Sequence, residues 1–453
     1  MLTFRRILSC NYTLLSIILL ILVIFCIRAP FPSDDLLRDV IIGKYGFNYS
    51  NLYIYAPRIT PYNQYIGFDK ILFMLVQHVG QIWTVRVVQV TCILGYIIAL
   101  VLIFNKLLDS HPDKQELIVL LVTYTIIAPI MSRLILGRPE VIFTIWALFG
   151  VACGLYKNHI ASIAWIFIGI CLIPLYWLGF LYLPVTFLLF NKHYVKTMVF
   201  IIMMALYLFS WQILSNYEWL SSLLLWFHNI FDRIPEVTVN ENNTIFSMVL
   251  IPQVGIVLFM LSYKFQKNFT INWRRCSFMK VVKHKYTCLL LLCIWFCMPN
   301  MIRYIDIVFP LIMVIAVDQF KGVKLSLDKV VYKNFITIIS VYLVIMAQSM
   351  PTIKPPKFNL PANAKVLASF DGANYYVPFF AKEKIQIAPS MEIGANEYEI
   401  QQLIVDIQKN NNVNCVSLKK YNFNYLVEKS LTSIPNCLRL VQVQGAYRLW
   451  KIQ

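Results

Sequence analysis

The chain alternates between long apolar runs and short polar breaks over most of its length. A membrane-crossing helix needs about 17–25 mostly apolar residues, and somewhat fewer inside a bundle. Runs of this kind lie at 11–28, 83–104, 116–136, 141–155, 160–174, 176–190, 195–214, 246–261, 286–298, 302–317 and 335–350. They predict about eleven spans, and 219–231 reads as a re-entrant or interfacial helix. The first run follows Arg5 and Arg6 in the manner of a signal anchor. No small-residue cleavage site precedes Pro30, so it reads as a retained helix.

The pattern changes after a hinge marked by Pro351, Pro355, Pro356 and Pro361. Beyond it the spacing predicts strands at 365–370, 384–388 and 413–418. An amphipathic helix at 398–409 carries Ile400, Leu403, Ile404 and Ile407 at helical spacing. A closing hairpin is expected at 438–443 and 446–452, around Gln444-Gly445. The predicted fold class is a polytopic α-helical membrane protein with a small C-terminal α/β soluble domain. The division falls into a membrane part, 1–350, and a tail domain, 351–453, with a long first loop at 29–82.

Composition agrees. The chain is 59% hydrophobic and only 14% charged, with a mean hydropathy of +0.66. Soluble domains run at about 45–50% apolar and about 25% charged, so an ordinary soluble enzyme, a disordered chain and a disulfide scaffold are all excluded. The net charge of +18 would suggest nucleic acid in a soluble protein. Its distribution gives another reason. With the N-terminus inside, the inner connections are 1–10, 105–115, 156–159, 191–194, 262–285 and 318–334. Lys264, Lys267, Arg274, Arg275, Lys280, Lys283 and Lys285 crowd one inner loop, and Lys321, Lys324, Lys329 and Lys333 the next. This is the positive-inside pattern, and no nucleic-acid partner is expected. The first loop, 215–245 and the tail domain then share the outer face.

Most of the 11 cysteines lie in or beside apolar runs and read as small buried hydrophobes. Cys415 and Cys437 fall in the tail domain, where a disulfide and a pair of buried thiols are both open readings. The six histidines show no ligand spacing, so a histidine-based metal site is not expected.

The chemistry-bearing residues cluster on the outer face. Ser33-Asp34-Asp35 follows the first run directly. Ser33 suits a helix N-cap, with both aspartates in the first turn, where the helix dipole favours the ionised form. The pair also suits a general base at the lipid–water boundary, its second member orienting the first or holding a divalent cation. The loop that follows is rich in aromatic residues, Tyr45, Phe47, Tyr49, Tyr53, Tyr55, Tyr62, Tyr65 and Phe68. It is interleaved with Arg38, Lys44, Arg58 and Lys70. Such a loop is longer than a connector needs, and aromatic faces suit sugar rings. Gly137-Arg138-Pro139-Glu140 and Arg303-Tyr304 stand on the same face. Ionisable groups at membrane depth are functional candidates, and arginine binds phosphate bidentately. A carboxylate base beside guanidinium groups suits an anionic, phosphate-linked substrate presented from the lipid.

In these features the sequence resembles the GT-C superfamily of polytopic glycosyltransferases. The resemblance rests on four elements: Asp34-Asp35 after the first span, the long outer loop, Arg303-Tyr304 before a late span, and an outer α/β domain after the last. It lacks the Trp-Trp-Asp motif of oligosaccharyltransferases, which disfavours protein N-glycosylation. The resemblance implies a polyprenyl-phosphate-linked sugar as donor, a glycan or lipid acceptor, and inversion at the anomeric carbon. Asp34 or Asp35 would be the base. Arg138, Glu140, Arg303, Tyr304, Arg58 and Lys44 would contact substrate or donor phosphate. The cofactor question stays open, with Asp34 and Asp35 as ligands should a divalent cation take part.

The alternative is a polysaccharide polymerase or flippase of a surface-glycan pathway. A flippase needs no acidic pair in the first loop, and a polymerase carries its large outer loop late. Asn-x-Ser/Thr tripeptides at Asn48 and Asn242 fit an ER lumen, whereas the short loops fit a bacterial inner membrane. The expected location is that inner membrane, with a cytoplasmic N-terminus and a periplasmic tail domain.

Overall fold

The computed structural model describes residues 35–56, 65–107, 137–156, 159–172, 356–370, 372–389, 397–429, 431 and 433–453. In the first loop, α1 (Asp35–Ile41) runs directly into a 3-10 turn, Ile42–Tyr45, and a second 3-10 turn follows at Tyr49–Asn51. α2 (Ile66–Val79) leads to α3 (Gln81–Leu107), with Gly80 between them at φ +82°. α4 (Pro139–Tyr156) and α5 (His159–Leu172) form a hairpin. The predicted spans at 83–104, 141–155 and 160–174 thus fall on α3, α4 and α5. The other predicted spans, and 219–231, lie outside the described residues.

α3 and α4 are long and apolar enough to cross a membrane, and only 50% and 56% of their apolar stretches are buried in the protein. The rest of each helix offers apolar surface outward, as lipid contact requires. α4 and α5 lock together through two tryptophans. The rings of Trp146 and Trp165 stack at 4.3 Å. Each indole N–H donates to the other residue's carbonyl, at 2.9 Å and 2.6 Å. Gly169 makes the approach possible, since a Cβ there would sit 2.3 Å from the Trp146 ring.

The tail domain is a five-stranded mixed sheet of β1 (Lys365–Ala368), β2 (Gln386–Ala388), β3 (Tyr425–Glu428), β4 (Leu438–Gln444) and β5 (Tyr447–Ile452), in the order β2-β1-β3-β5-β4. β1 pairs in parallel with both β2 and β3, and β5 is antiparallel to β3 and β4. α6 (Ala373–Phe380) links β1 to β2, and α7 (Tyr398–Asn410) and α8 (Cys415–Lys420) link β2 to β3. Side chains alternate across a strand, so the sheet has two apolar faces. Val366, Ala368, Val427 and Leu449 join the core that contains α6 and the first loop. Leu367, Leu426 and Trp450 join a second core with Ile400, Leu403, Ile404 and Ile407 of α7. Cys415 and Cys437 are joined in a disulfide.

One predicted element is corrected. The expected strand at 413–418 is a helix from Cys415 to Lys420, because Asn414 caps it by accepting from the N–H groups of Val416 and Ser417, both at 3.1 Å. That local capping overrides the strand preference of Val413 and Val416. α6 and β3 were absent from the sequence-based expectation.

The tail domain sits on the first loop. Tyr53 bridges Ile387 in parallel, so the loop extends the sheet beyond β2. Ile54 N donates to the Ile387 carbonyl at 3.1 Å, and Ile387 N to the Leu52 carbonyl at 2.9 Å. The Tyr45 hydroxyl accepts from Ile385 N at 3.2 Å. The Tyr55 hydroxyl donates to the Tyr421 carbonyl, and its ring meets those of Tyr421 and Phe423 edge-on.

Candidate functional site

The sequence of α1, Asp-Leu-Leu-Arg-Asp-Val-Ile, puts Asp35, Arg38 and Asp39 at i, i+3 and i+4, on one side of the helix. Every residue from Leu36 to Ile41 is buried, so two charged side chains are enclosed: Arg38 is 1% exposed and Asp39 0%. Enclosed charges cost several kcal/mol each unless paired, and here they are paired. Asp39 Oδ1 accepts from Arg38 Nε at 2.7 Å and Nη2 at 2.5 Å. Arg38 Nη1 reaches Asp35 Oδ1 at 3.2 Å. The guanidinium lies 4.8 Å from the centroid of the Tyr49 ring and 5.7 Å from that of Tyr65, and such faces attract a cation.

The start of α4 comes up to this cluster. Arg138 Nη2 stands 3.6 Å from Asp35 Oδ2, and the Tyr65 hydroxyl donates to Glu140 Oε1 at 3.0 Å. Gly137 sets the approach. Its φ is +64°, and a Cβ there would meet Leu36 Cδ2 at 2.8 Å and Val88 Cγ1 at 3.0 Å. Pro139 occupies the first helical position and Glu140 the first turn of α4, where proline fits and an acid is favoured. Asp69, 0% exposed on α2, completes the enclosed carboxyl set.

Burial pushes the Asp39 carboxyl up to about 7 against the pull of Arg38, with Asp35 and Glu140 adding to the rise. Among the described residues Asp39 Oδ2 and Glu140 Oε2 are buried without a hydrogen-bond partner. Burial also raises Tyr49, against the opposing pull of Arg38. The arrangement is a carboxylate–guanidinium cluster at the start of the membrane-length helix α4, built from segments far apart in sequence.

Of the residues singled out from sequence, Asp35, Arg138 and Glu140 come together here. Lys44 lies instead at the seam with the tail domain. Burial lowers it, against the opposing charge of Glu383, and in the amide orientation that satisfies both atoms Gln81 accepts from it at 2.6 Å. Asp34, Arg58, Arg303 and Tyr304 lie outside the described residues. Asp39 and Asp69 were not singled out, and Arg38, Tyr49 and Tyr65 only as part of the loop's composition. The i, i+3, i+4 spacing of Asp35, Arg38 and Asp39 was the one sequence signal that could have found the Arg38–Asp39 pair. Each Asp35 carboxylate oxygen faces a guanidinium. Among the described residues no group of three His, Cys, Asp or Glu side chains is placed to hold a metal ion, and Asp34 lies outside them.

No protein family matches the sequence, and no curated protein does. Among solved structures the fold is distantly similar to the archaeal oligosaccharyltransferase AglB from Archaeoglobus fulgidus, in complex with an inhibitory peptide and a dolichol-phosphate. The identity is 9% and the TM-score 0.40, over 92% of this chain and 69% of that one. A likeness of this size is too slight to carry a functional conclusion.

Proposed function

We propose that the chain is a polytopic membrane glycosyltransferase of GT-C type. It moves a hexose or pentose from a polyprenyl-phosphate-linked donor to a glycan or lipid acceptor on the outer face, in the cell envelope. The observation that carries the reading is the 3.6 Å approach of Arg138 to Asp35, which unites two motifs singled out from sequence for base and phosphate chemistry. An aromatic-walled cluster at the start of the membrane-length helix α4 suits a lipid-borne, anionic substrate.

The step is a single displacement. A first-loop carboxylate takes the proton of an acceptor hydroxyl. The acceptor oxygen bonds to the anomeric carbon as the bond to the phosphate oxygen breaks. The polyprenyl phosphate leaves with the electron pair, and the anomeric centre inverts. Asp35 already neutralises two arginines, which suits holding Arg138 toward the departing phosphate. That leaves Asp34 as the preferred base, with Arg303 and Tyr304 as further donor contacts.

The test is sugar transfer by the purified protein in lipid nanodiscs, using polyprenyl-phosphate sugars as donors. Asp34→Asn is expected to reduce transfer by about 10²–10⁴-fold, the usual contribution of a general base. Transfer retained in Asp34→Asn, Asp35→Asn and the double variant would remove the base assignment. Polymerisation or translocation of a lipid-linked glycan without sugar transfer from any such donor would favour the polymerase or flippase reading.

A further inference from the structure

β4 is an edge of the tail-domain sheet. β5 holds one side of it, and among the described residues no strand pairs with the other. Its seven residues, Leu-Arg-Leu-Val-Gln-Val-Gln, make it the longest of the five strands. A long apolar edge is a template for another chain. Here Leu440, Val441 and Val443 are 47%, 51% and 54% exposed.

The register assigns these side chains to faces. Leu440 stands opposite Trp450 and Val443 opposite Arg448. Trp450 belongs to the core with α7, and Arg448, two residues before it on β5, takes the same side. Arg439, Gln442 and Gln444 stand opposite Lys451, Leu449 and Tyr447. They take the other face, where Leu449 joins the core of Leu36 in α1, Ile93 in α3 and Val141 in α4. On that inner face the chain covers its own edge. Gln442 accepts from Asn359 N at 3.3 Å, and Gln444 Nε2 donates to the Lys357 carbonyl at 2.7 Å. Leu440 and Val443 stay half-exposed on the face away from the membrane-length helices, where a protein surface is a better cover than lipid.

The strand complements itself. Laid antiparallel against the same strand of a second copy, with Leu440 opposite the other's Val443, it keeps both faces in step across the register shift between Leu440 and Gln442. Val443 then meets the other's Leu440, and Arg439 meets the neutral Gln444 instead of a second arginine. Matched apolar pairs across strands stabilise, and like charges directly opposite destabilise. We propose that the protein dimerises through its tail domains, β4 pairing antiparallel with β4 of a second copy so that one sheet runs through both. The contact is isologous, the same patch on each copy. It goes beyond the sugar-transfer reading and does not depend on it.

The test is photocrosslinking of the full chain, two differently tagged copies being co-expressed and studied in their membranes. p-Benzoylphenylalanine is introduced at Leu440, at Val443, and at Tyr398, which is exposed on α7 over the same face of the sheet. Leu440 and Val443 are expected to give adducts carrying both tags at least about tenfold above Tyr398, the ratio set by a preference of ~1.4 kcal/mol for one surface. Val443→Lys, added to the Leu440 probe, sets an ammonium against the other copy's Leu440 and is expected to bring the yield down to the Tyr398 level. Val405→Lys, on α7, should leave it unchanged. The Cys415–Cys437 disulfide, read on a non-reducing gel, reports that the domain is folded in each variant. Yields at the Tyr398 level from both probes in the parent chain would overturn the dimer. Adducts to a different protein or to lipid would assign the edge to that partner and overturn it as well. Undiminished two-tag adducts in Val443→Lys would show a contact other than strand pairing and overturn the proposal.

Discussion

Arg38 shows how this protein handles buried charge. Its guanidinium is shared between Asp39 and Asp35 and set against two tyrosine rings. Removing one partner of a buried pair leaves the other uncompensated and costs about 3–5 kcal/mol. Arg38→Ala is therefore expected to lower stability by about that amount in thermal unfolding of the detergent-solubilised protein. Arg38→Lys is expected to recover only part of it, since one ammonium cannot reproduce the fork that engages both carboxylates. Asp39→Asn keeps an acceptor oxygen for both Arg38 donors but removes a negative charge that faces the enclosed guanidinium, and is expected to cost part of that amount. Its further effect is on pH dependence. The folded Asp39 carboxyl is raised to about 7 from an ordinary 3.8, so the folded state holds the proton more tightly than the unfolded one. That contribution is full below about 4 and is lost as pH rises through about 7. Thermal stability is expected to fall over this window in the parent protein, and the slope to flatten in Asp39→Asn. An unchanged slope would assign the titration to another group.

Between residues and whole molecule, the turn before α4 decides whether the site assembles. Gly137 holds φ +64° and packs against Leu36 and Val88. A left-handed conformation costs a residue with a Cβ about 1–2 kcal/mol, and the clash adds to it. Gly137→Ala is expected to displace Arg138 from Asp35 and reduce sugar transfer by about tenfold or more, as misplacement by 1 Å can cost 10²-fold. The fold should survive. Full activity in this variant would show that the contact between Arg138 and Asp35 is dispensable. α7 was readable, because Ile400, Leu403, Ile404 and Ile407 repeat with one period and are all buried. The helix at Cys415–Lys420 was not, since a six-residue segment is set by one cap at Asn414 rather than by periodicity. α6 contains Pro378 within an aromatic run, a combination that sequence rules read as a break.

Over the whole molecule, the tail domain and first loop share one sheet edge and one core. The Cys415–Cys437 disulfide braces α8 against the start of β4, with 22 residues of separation. Closing such a loop contributes about 3 kcal/mol through the unfolded state. Tyr421, directly after α8, receives Tyr55 of the first loop. Reduction of the disulfide is therefore expected to lower the unfolding temperature and to loosen this contact, read as faster amide exchange at Tyr55 and Phe423. Faster unfolding with unchanged exchange at Tyr55 would separate the brace from the docking.

The sequence by itself determined the apolar runs, the period of α7 and the residue types at the site, because burial period and charge placement are local properties of the chain. It marked Asp35, Arg138 and Glu140 one by one. Only the tertiary structure decided that Asp35 meets Arg138, that Tyr65 holds Glu140, and that Arg38 and Asp39 are enclosed rather than solvated. The physical reason is that an ion pair between distant segments depends on how helices pack, here on a glycine that lets α4 start against α1. No spacing along the chain carries that distance.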